Sequence, residues 1–241
     1  MTRTRAVLLD AGHTLLYAHP DLGTVYAETT AALGVRLAPE VFVAAFGPAF
    51  QQHVKVYQAS GHASDEQDYL MWRSITRGIW DRIPELRVVG FDAWFEALYR
   101  RFGEPDAWRL YDDVLDVLGD LRSRGLRLAL VSNWDSRLKT IAEGLGLSAL
   151  VDAMVISAVA GVRKPDPRIF RVALDALGVR PEEAVHVGDV PEEDVAGAVA
   201  AGVRPVLIRR SKKMLAAEVP PGVPVIEDLR QLERLLADEP A

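Results

Sequence analysis

Five short apolar runs, separated by longer stretches with helical periodicity, constrain the fold of this chain more than any other feature. The runs cover residues 6–9, 126–131, 153–156, 184–187 and 205–208. Each is nearly continuous in apolar residues, which is typical of strands buried on both faces of a parallel sheet. From residue 110 onward the runs alternate with amphipathic helical patterns, as βαβ units with right-handed crossovers do. The sequence therefore predicts an α/β fold built on a parallel sheet.

The region between the first two runs has a different pattern. From about residue 20 to about residue 105 no buried strand is evident, and four amphipathic helical patterns cover residues 25–33, 41–50, 69–80 and 91–102. Breaks near residues 34, 60, 84 and 103 separate them. We predict a four-helix cap domain of residues 18–105, inserted into a core domain of residues 1–17 and 106–241. The aromatic residues of these helices are interpreted as packing within the bundle rather than as a cofactor site.

Composition and charge argue against several classes of function. The chain has 28 Lys and Arg against 34 Asp and Glu, a formal net charge of -6, so neither nucleic acid nor a membrane is an expected partner. We interpret the short basic patch at 209–213 as solvated surface. No segment has the pattern of a signal peptide or a transmembrane helix, and the absence of cysteine excludes disulfides and thiolate chemistry. We expect a cytoplasmic protein that is a monomer or a homodimer.

Polar residues follow the predicted strands at the points where the strands end. Asp10 follows the first strand, Ser132 and Asn133 the second, and Asp189 the fourth. Because the carboxyl ends of the strands in an open parallel sheet face the ligand crevice, we expect these side chains to converge. Lys164 comes just after the third strand and before a helix, so it should lie on the same rim.

These residue types together suit phosphoryl chemistry. Asp10 and Asp189 can share one hard divalent cation, and Mg2+ prefers a few carboxylates completed by water and substrate oxygens. Such a cation neutralises charge on a phosphoryl group and leaves a carboxylate free to attack. Ser132 can donate to a phosphoryl oxygen, Lys164 can offset negative charge, and Asp194 can support the metal or orient Lys164. Each residue alone has an ordinary explanation as a cap, turn or surface residue, and only their joint order and placement indicate a site.

Four motifs of the chain resemble those of the haloacid dehalogenase superfamily of hydrolases. The motifs are LLDAGHT at 8–14, LVSN at 130–133, RKPDP at 163–167, and VGD at 187–189 followed by Asp194. The position and helical character of the insertion resemble the subfamily with a four-helix cap between the first two motifs. The resemblance implies a Rossmann-like, doubly wound core with an inserted α-helical cap, and an aspartyl-enzyme intermediate formed at Asp10.

The resemblance also implies a role for each motif residue. Catalytic roles fall to Asp10 as nucleophile and to Thr14, Ser132 and Lys164, which would hold the nucleophile and the phosphoryl group. Metal binding, with Mg2+ as the cofactor, falls to Asp10, the backbone carbonyl of Gly12, Asp189 and Asp194. Asn133 is predicted to bind the small phosphorylated substrate.

The first motif departs from the pattern of the family's phosphatases, which carry a second aspartate two positions after the nucleophile as general acid and base. This chain has Gly12 at that position, as in a dehalogenase-like branch of the family. Losing a positioned proton transfer costs about 10^2 to 10^4 in rate. His13 is adjacent and is a possible acid or base, and its alternative interpretation is a partly exposed loop histidine.

Three functions therefore remain open. The leading hypothesis is a Mg2+-dependent phosphatase for a small phosphorylated metabolite, slow because of Gly12. The second is a 2-haloacid dehalogenase, since halide leaves without protonation, although the dehalogenases concerned work without metal and this chain keeps Asp189 and Asp194. The third is a catalytically weak binding or regulatory protein, which the missing acid and base would explain.

Overall fold

A six-stranded parallel sheet forms the centre of the structure, a computed structural model that describes residues 3–58, 62–210 and 219–237. The strands of the chain are β1 (Ala6–Leu9), β2 (Leu16–Ala18), β3 (Trp108–Leu110), β4 (Arg127–Ser132), β5 (Ala153–Ile156), β6 (Ala184–Gly188), β7 (Arg204–Ile208) and β8 (Val225–Ile226). The sheet has the order β5-β4-β1-β6-β7-β8, and each neighbouring pair is parallel. All five predicted strands are confirmed. The sequence did not indicate β2, β3 or β8, because two or three residues are too few to show a pattern.

The helices are α1 (Leu22–Ala32), α2 (Pro39–Gln58), α3 (Asp65–Arg82), α4 (Phe91–Arg101), α5 (Val114–Ser123), α6 (Leu138–Gly144), α7 (Ser157–Ala160), α8 (Pro167–Leu177), α9 (Ala196–Ala201) and α10 (Leu229–Ala237). Helix α8 shows how local sequence sets such bounds. Asp166 caps its start by accepting a hydrogen bond from the backbone N–H of Arg168, and Pro167 takes the first helical position. The helix ends at Gly178, which adopts the left-handed conformation that glycine tolerates best.

Helices cover both faces of the sheet, as the Rossmann-like prediction requires. Successive residues of a strand point to opposite faces, so Val7 and Leu9 pack with α5, α6 and α10, while Ala6 and Leu8 pack with α8 and α9. All four of these β1 side chains are completely buried. The central strand is therefore fixed on both sides, and the position of its carboxyl end, where Asp10 follows, is well determined by packing.

Helices α1 to α4 lie between β2 and β3 in the chain and pack around a separate aromatic core. Trp94 is completely buried there, and its indole N–H donates to the Thr30 hydroxyl at 2.8 Å. Tyr26 and Phe42 contact the same indole. The prediction that these aromatic residues pack among the helices is confirmed, whereas the domain bounds at residues 18 and 105 stay a prediction.

The chain enters and leaves these four helices through one antiparallel pair of strands. Strands β2 and β3 pair with Leu16 opposite Leu110 and Ala18 opposite Trp108. Both connections to the central sheet therefore run side by side. Within the described ranges, no helix is both long enough and apolar enough to span a membrane.

Candidate active site

Asp10 lies directly beyond β1, with its backbone held in the sheet by a hydrogen bond from its N–H to the carbonyl of Val187 at 2.9 Å. Its side chain is mostly buried, and its Oδ1 atom accepts two hydrogen bonds. One comes from the Ser132 hydroxyl at 3.0 Å and the other from the Lys164 ammonium at 2.6 Å. Among the described residues, no hydrogen bond reaches Oδ2. The ends of β1 and β4 and the segment between α7 and α8 thus bring these groups together, and one carboxylate oxygen of Asp10 keeps its lone pairs available.

Lys164 is the cation at the centre of the site. Its side chain is 1% exposed, and its ammonium donates to Asp10 and, at 2.5 Å, to Oδ1 of Asp194. Burial alone would lower the pKa of Lys164, but the charges of Asp10 and Asp194 outweigh it and raise the pKa above the ordinary value. Lys164 therefore stays protonated at any physiological pH.

Asn133 holds the backbone of Lys164 in place. Its side-chain carbonyl accepts from the Lys164 N–H at 2.8 Å, and its amide donates to the Lys164 carbonyl at 3.0 Å. The amide also donates to Oε2 of Glu193 at 2.8 Å. An asparagine amide has two N–H donors, so both are used inside the protein. Substrate binding by Asn133 stays a prediction, and these contacts favour a positioning role instead.

Asp194 lies beneath Lys164 and is 1% exposed. Besides Lys164, His186 contacts its Oδ1 at 2.9 Å, and the backbone N–H of Val190 donates to its Oδ2 at 2.9 Å. Burial alone would raise the pKa of Asp194, but the charge of Lys164 and the hydrogen bond with His186 lower it. A Cβ atom at Gly188 would overlap the Asp194 carboxyl carbon, so only glycine at that position admits the carboxylate.

Three carboxylates form a cluster at this edge of the sheet. Asp10, Asp189 and Asp194 each place one oxygen within 4.8 Å of the others. Burial and the negative charges of Asp10 and Asp194 raise the pKa of Asp189 to about 8, against the opposing charge of Lys164. A bound divalent cation would remove this repulsion, and hard carboxylate oxygens suit Mg2+. The residues therefore fit a magnesium site, although Asp194 has three of its lone pairs already occupied.

The nucleophile loop, defined as residues 11–16, folds tightly after Asp10. The carbonyl of Ala11 accepts from the N–H groups of Leu15 and Leu16 at 2.8 and 3.0 Å. His13 has a positive φ of 53° and an exposed side chain. Protein atoms packed around part of the imidazole lower the pKa of His13, while the charge of Asp10 acts in the opposite direction. The imidazole is therefore mainly neutral at pH 7, which suits a base better than an acid.

Thr14 is completely buried in this loop, and its hydroxyl oxygen has no hydrogen-bond partner among the described residues. Its carbonyl accepts from Nε and Nη2 of Arg210 at 3.0 and 2.7 Å. The Arg210 side chain is 5% exposed, so its interpretation as solvated surface is wrong. The lysines of that basic patch, at 212 and 213, lie outside the described residues. The role predicted for the Thr14 hydroxyl stays a prediction.

Comparison with known proteins identifies the family. The family model described as haloacid dehalogenase-like hydrolase matches residues 4–202. The chain is 33% identical over 238 residues to haloacid dehalogenase-like hydrolase domain-containing protein 3 of Bos taurus, which covers 96% of this chain and 92% of that protein. The chain belongs to the haloacid dehalogenase-like hydrolase family. The resemblance seen in the four motifs is thereby confirmed, while the subfamily stays a prediction.

Two further similarities bear on this haloacid dehalogenase-like chain. Over 132 residues it is 42% identical to a phosphoserine phosphatase of Thermus thermophilus, which covers 54% of this chain and 53% of that protein. Its fold matches the L-2-haloacid dehalogenase of Xanthobacter autotrophicus with a TM-score of 0.71 at 21% identity, over 98% of this chain and 100% of that chain. The second similarity is one of fold alone.

Sequence reasoning missed the contacts that α3 and α4 make beside the cluster. Asp68 on α3 accepts from Nη2 of Arg163 at 2.5 Å, and both side chains are buried. Burial raises the pKa of Asp68, although the charge of Arg163 opposes the shift. Asp65 accepts from the backbone N–H of Ser136 at 2.7 Å. Acidic residues in the first turn of a helix are ordinary on dipole grounds, so the sequence carried no signal for these contacts.

The loop after β4 makes a second contact with the same helices. Arg137 forms two hydrogen bonds with the buried Asp135 carboxylate, at 2.8 and 2.6 Å. Its guanidinium lies over the Tyr99 ring of α4, 3.5 Å from the ring centre, and donates to the Tyr99 carbonyl. Burial and the charge of Asp135 raise the pKa of Tyr99 to about 12. Helices α3 and α4 therefore pack against two of the loops that carry candidate site residues.

Proposed function

We propose that the chain is a Mg2+-dependent phosphatase that acts on small phosphorylated metabolites through a phosphorylated Asp10. The observation that carries the proposal is the state of the Asp10 carboxylate. Its Oδ1 is fixed by Ser132 and Lys164, its Oδ2 accepts from none of the described residues, and two further carboxylates lie within 4.8 Å. The phosphatase name of the relative from Thermus thermophilus supports the same class of substrate.

Bound Mg2+ would supply neutralisation of phosphoryl charge and orientation of one phosphoryl oxygen. The Asp10 Oδ2 lone pair attacks phosphorus, and the bond from phosphorus to the leaving oxygen breaks. Lys164 remains charged and stabilises the negative charge that builds up beside Asp10. In the second step a water oxygen attacks phosphorus, the bond to Asp10 breaks, and the carboxylate is restored with inorganic phosphate as product.

Proton transfer is the weak point of this mechanism. Gly12 offers no acid to the leaving oxygen, and neutral His13 is a poor proton donor. A leaving group that departs as an anion avoids this difficulty, so aryl phosphates should react faster than alkyl phosphates. His13 is better suited to accept a proton from the attacking water in the second step, because its lowered pKa leaves the imidazole neutral at pH 7.

The 2-haloacid dehalogenase is the second candidate, and Gly12 is the observation that favours it. Asp10 would displace halide from carbon, and halide needs no proton on departure. The carboxylate cluster counts against it, because displacement at carbon has no use for two more carboxylates beside the nucleophile. A protein with a weak or absent activity is the third candidate, and the same Gly12 supports it.

One substrate panel separates the three candidates. We would assay p-nitrophenyl phosphate, glycerol phosphate and 2-chloropropionate with purified protein, each with Mg2+ and with EDTA. The proposal expects phosphate release that needs Mg2+, is faster for the aryl ester, and is abolished by Asp10→Asn. The matched control is Asp175→Asn, because Asp175 is an exposed carboxylate on α8. Metal-independent chloride release would establish the dehalogenase, and inactivity on all three with intact Mg2+ binding would establish the weak or binding protein.

A further inference from the structure

We propose that Arg210, just beyond β7, is a positioning residue that fixes the nucleophile loop and thereby Asp10. Its kinetic consequence rests on the proposed phosphatase function, whereas its effect on the metal site does not. Arg210 lies 196 residues from Thr14 in the chain and yet donates two hydrogen bonds to the Thr14 carbonyl, at 3.0 and 2.7 Å. A guanidinium that grips one carbonyl with two N–H groups fixes that carbonyl in direction as well as in distance.

The guanidinium itself is held on two other sides. Its Nη1 donates to Oδ2 of Asp113 at 2.6 Å, and its Cζ atom lies 4.3 Å from the centre of the Tyr111 ring. Burial alone would raise the pKa of Asp113, but hydrogen bonds from Arg210 and from the Leu229 N–H lower it. Asp113 therefore stays charged. The same carboxylate oxygen also accepts from the backbone N–H of Leu229, so it links Arg210 to the first residue of α10. Arg210 cannot turn without breaking one of these contacts.

Apart from the pairing of Leu16 with β3, the hydrogen bonds of the nucleophile loop are mostly internal, so the contact with Arg210 holds a carbonyl that strand pairing does not reach. The N–H groups of Leu15 and Leu16 return to the Ala11 carbonyl, and the His13 N–H donates to the Leu16 carbonyl. From outside, the N–H of Tyr111 donates to the Leu15 carbonyl at 3.0 Å. Among the described residues, Arg210 is the one side chain that donates to a carbonyl of this loop.

Displacement of this loop would reach the reacting atoms. Thr14 is four residues from Asp10, and the Gly12 carbonyl predicted to bind the metal lies between them. A misplacement of about 1 Å at a reacting group costs roughly 10^2 in rate. Arg210 thus acts on the reaction through the loop. Three of its N–H groups donate to Thr14 and Asp113. Its loss should lower kcat while leaving KM nearly unchanged.

The test compares Arg210→Lys, Arg210→Gln and Arg210→Ala with wild-type protein. Lysine keeps the charge but has a single ammonium group, which cannot grip Thr14 and Asp113 together in the same plane. The matched control is Arg180→Gln, because Arg180 is 66% exposed and pairs only with Glu182 and Glu183 among the described residues. Hydrolysis of p-nitrophenyl phosphate gives kcat and KM, calorimetry with Mg2+ gives the metal affinity, and urea unfolding confirms that each variant is folded.

We expect the Lys and Gln variants to lose about 10- to 100-fold in kcat with KM changed less than about 3-fold. Mg2+ affinity should fall as well, and added guanidinium should restore part of the kcat of the Ala variant by filling the vacated space. A rise in KM with unchanged kcat would mean that Arg210 binds substrate directly and would overturn the proposal. So would folded variants with wild-type kcat and Mg2+ affinity. If the wild-type protein hydrolyses no phosphate ester, the proposed function fails, and Mg2+ affinity alone decides the role of Arg210.

Discussion

Replacement of Asp189 by asparagine tests the carboxylate cluster directly. The change keeps the shape of the side chain and removes one of three negative charges that lie within 4.8 Å of each other. In metal-free protein the pKa of Asp189 is raised from 3.8 to about 8 by burial and by the charges of Asp10 and Asp194. A carboxyl with a higher pKa in the folded state binds more protons when folded. The Asp189 carboxyl should therefore make the wild-type protein in EDTA progressively less stable relative to Asp189→Asn as the pH rises from about 4 to about 8.

The size of the effect follows from the same numbers. The difference between 3.8 and about 8 sets an upper limit of roughly 6 kcal/mol on the cost of the charged form. Two charges at 4.8 Å, the upper limit of the separations in the cluster, repel each other by about 3.5 kcal/mol at an effective dielectric constant of 20. The positive charge of Lys164 offsets part of this repulsion, and solvent around the partly exposed Asp189 screens part of the remainder. We expect Asp189→Asn in EDTA to be more stable than wild type by about 2 kcal/mol at pH 8.5, with the difference vanishing below about pH 3, where Asp189 is protonated in both the folded and the unfolded state.

Urea unfolding, followed by the fluorescence of the five tryptophans, measures both effects. Mg2+ at a hundred times its Kd should add about 2.7 kcal/mol to the stability of the wild type and much less to that of Asp189→Asn. The order of the two proteins should therefore reverse when EDTA is replaced by Mg2+. Asp175→Asn, which removes a solvated carboxylate, should show neither effect. Identical pH profiles for Asp189→Asn and wild type, together with an equal response to Mg2+, would refute the shared cation site.

Two further predictions address the missing acid and the contact with α3. A Cβ atom at position 12 would make ordinary contact with Trp134 at 3.4 Å, and Gly12 does not have a left-handed φ, so Gly12→Asp should fold. The new carboxyl should raise kcat for glycerol phosphate by about 10^2 or more. The gain in kcat for p-nitrophenyl phosphate should be much smaller, because its leaving group needs no proton. Equal gains on the two esters would show that protonation of the leaving group is not limiting. Arg163→Met should cost about 3–5 kcal/mol in urea unfolding because it leaves Asp68 charged or forces its protonation in a buried place. The double variant with Asp68→Leu should recover part of that loss, and a double variant as unstable as the sum of both singles would contradict this account.

The five longer strands and the convergence of Asp10, Ser132, Lys164 and Asp189 were predictable because they follow from local pattern and from one topological rule. Continuous apolar runs mark buried strands, and residues directly after parallel strands share one edge of the sheet. The four helices between β2 and β3 were predictable for the same reason, since each buries a helical stripe against the others. Packing of these stripes does not depend on the identity of a distant partner.

Long-range polar contacts were not predictable from this sequence. Arg210 follows a strand beside other basic residues, and nothing local separates a guanidinium that grips Thr14 from one that is solvated. Asn133 follows Ser132 at the strand end, as a substrate contact would, yet its amide is used by Lys164 and Glu193. In both cases the partner is fixed only when the sheet and its loops are assembled. Apolar faces of helices and strands produce a periodic pattern in the sequence, whereas hydrogen-bond partners do not.

Two cations that are consecutive in the chain serve different parts of the molecule. Arg163 is paired with Asp68 of α3, and Lys164, one peptide bond later, is paired with Asp10. Any rotation of α3 that separates the first pair pulls on the backbone that places the second. Substitutions on α3 that never meet the substrate are therefore expected to change the charge balance around the nucleophile. A chimaera that exchanges the helices of this chain for those of a relative would need to supply a carboxylate at the position of Asp68.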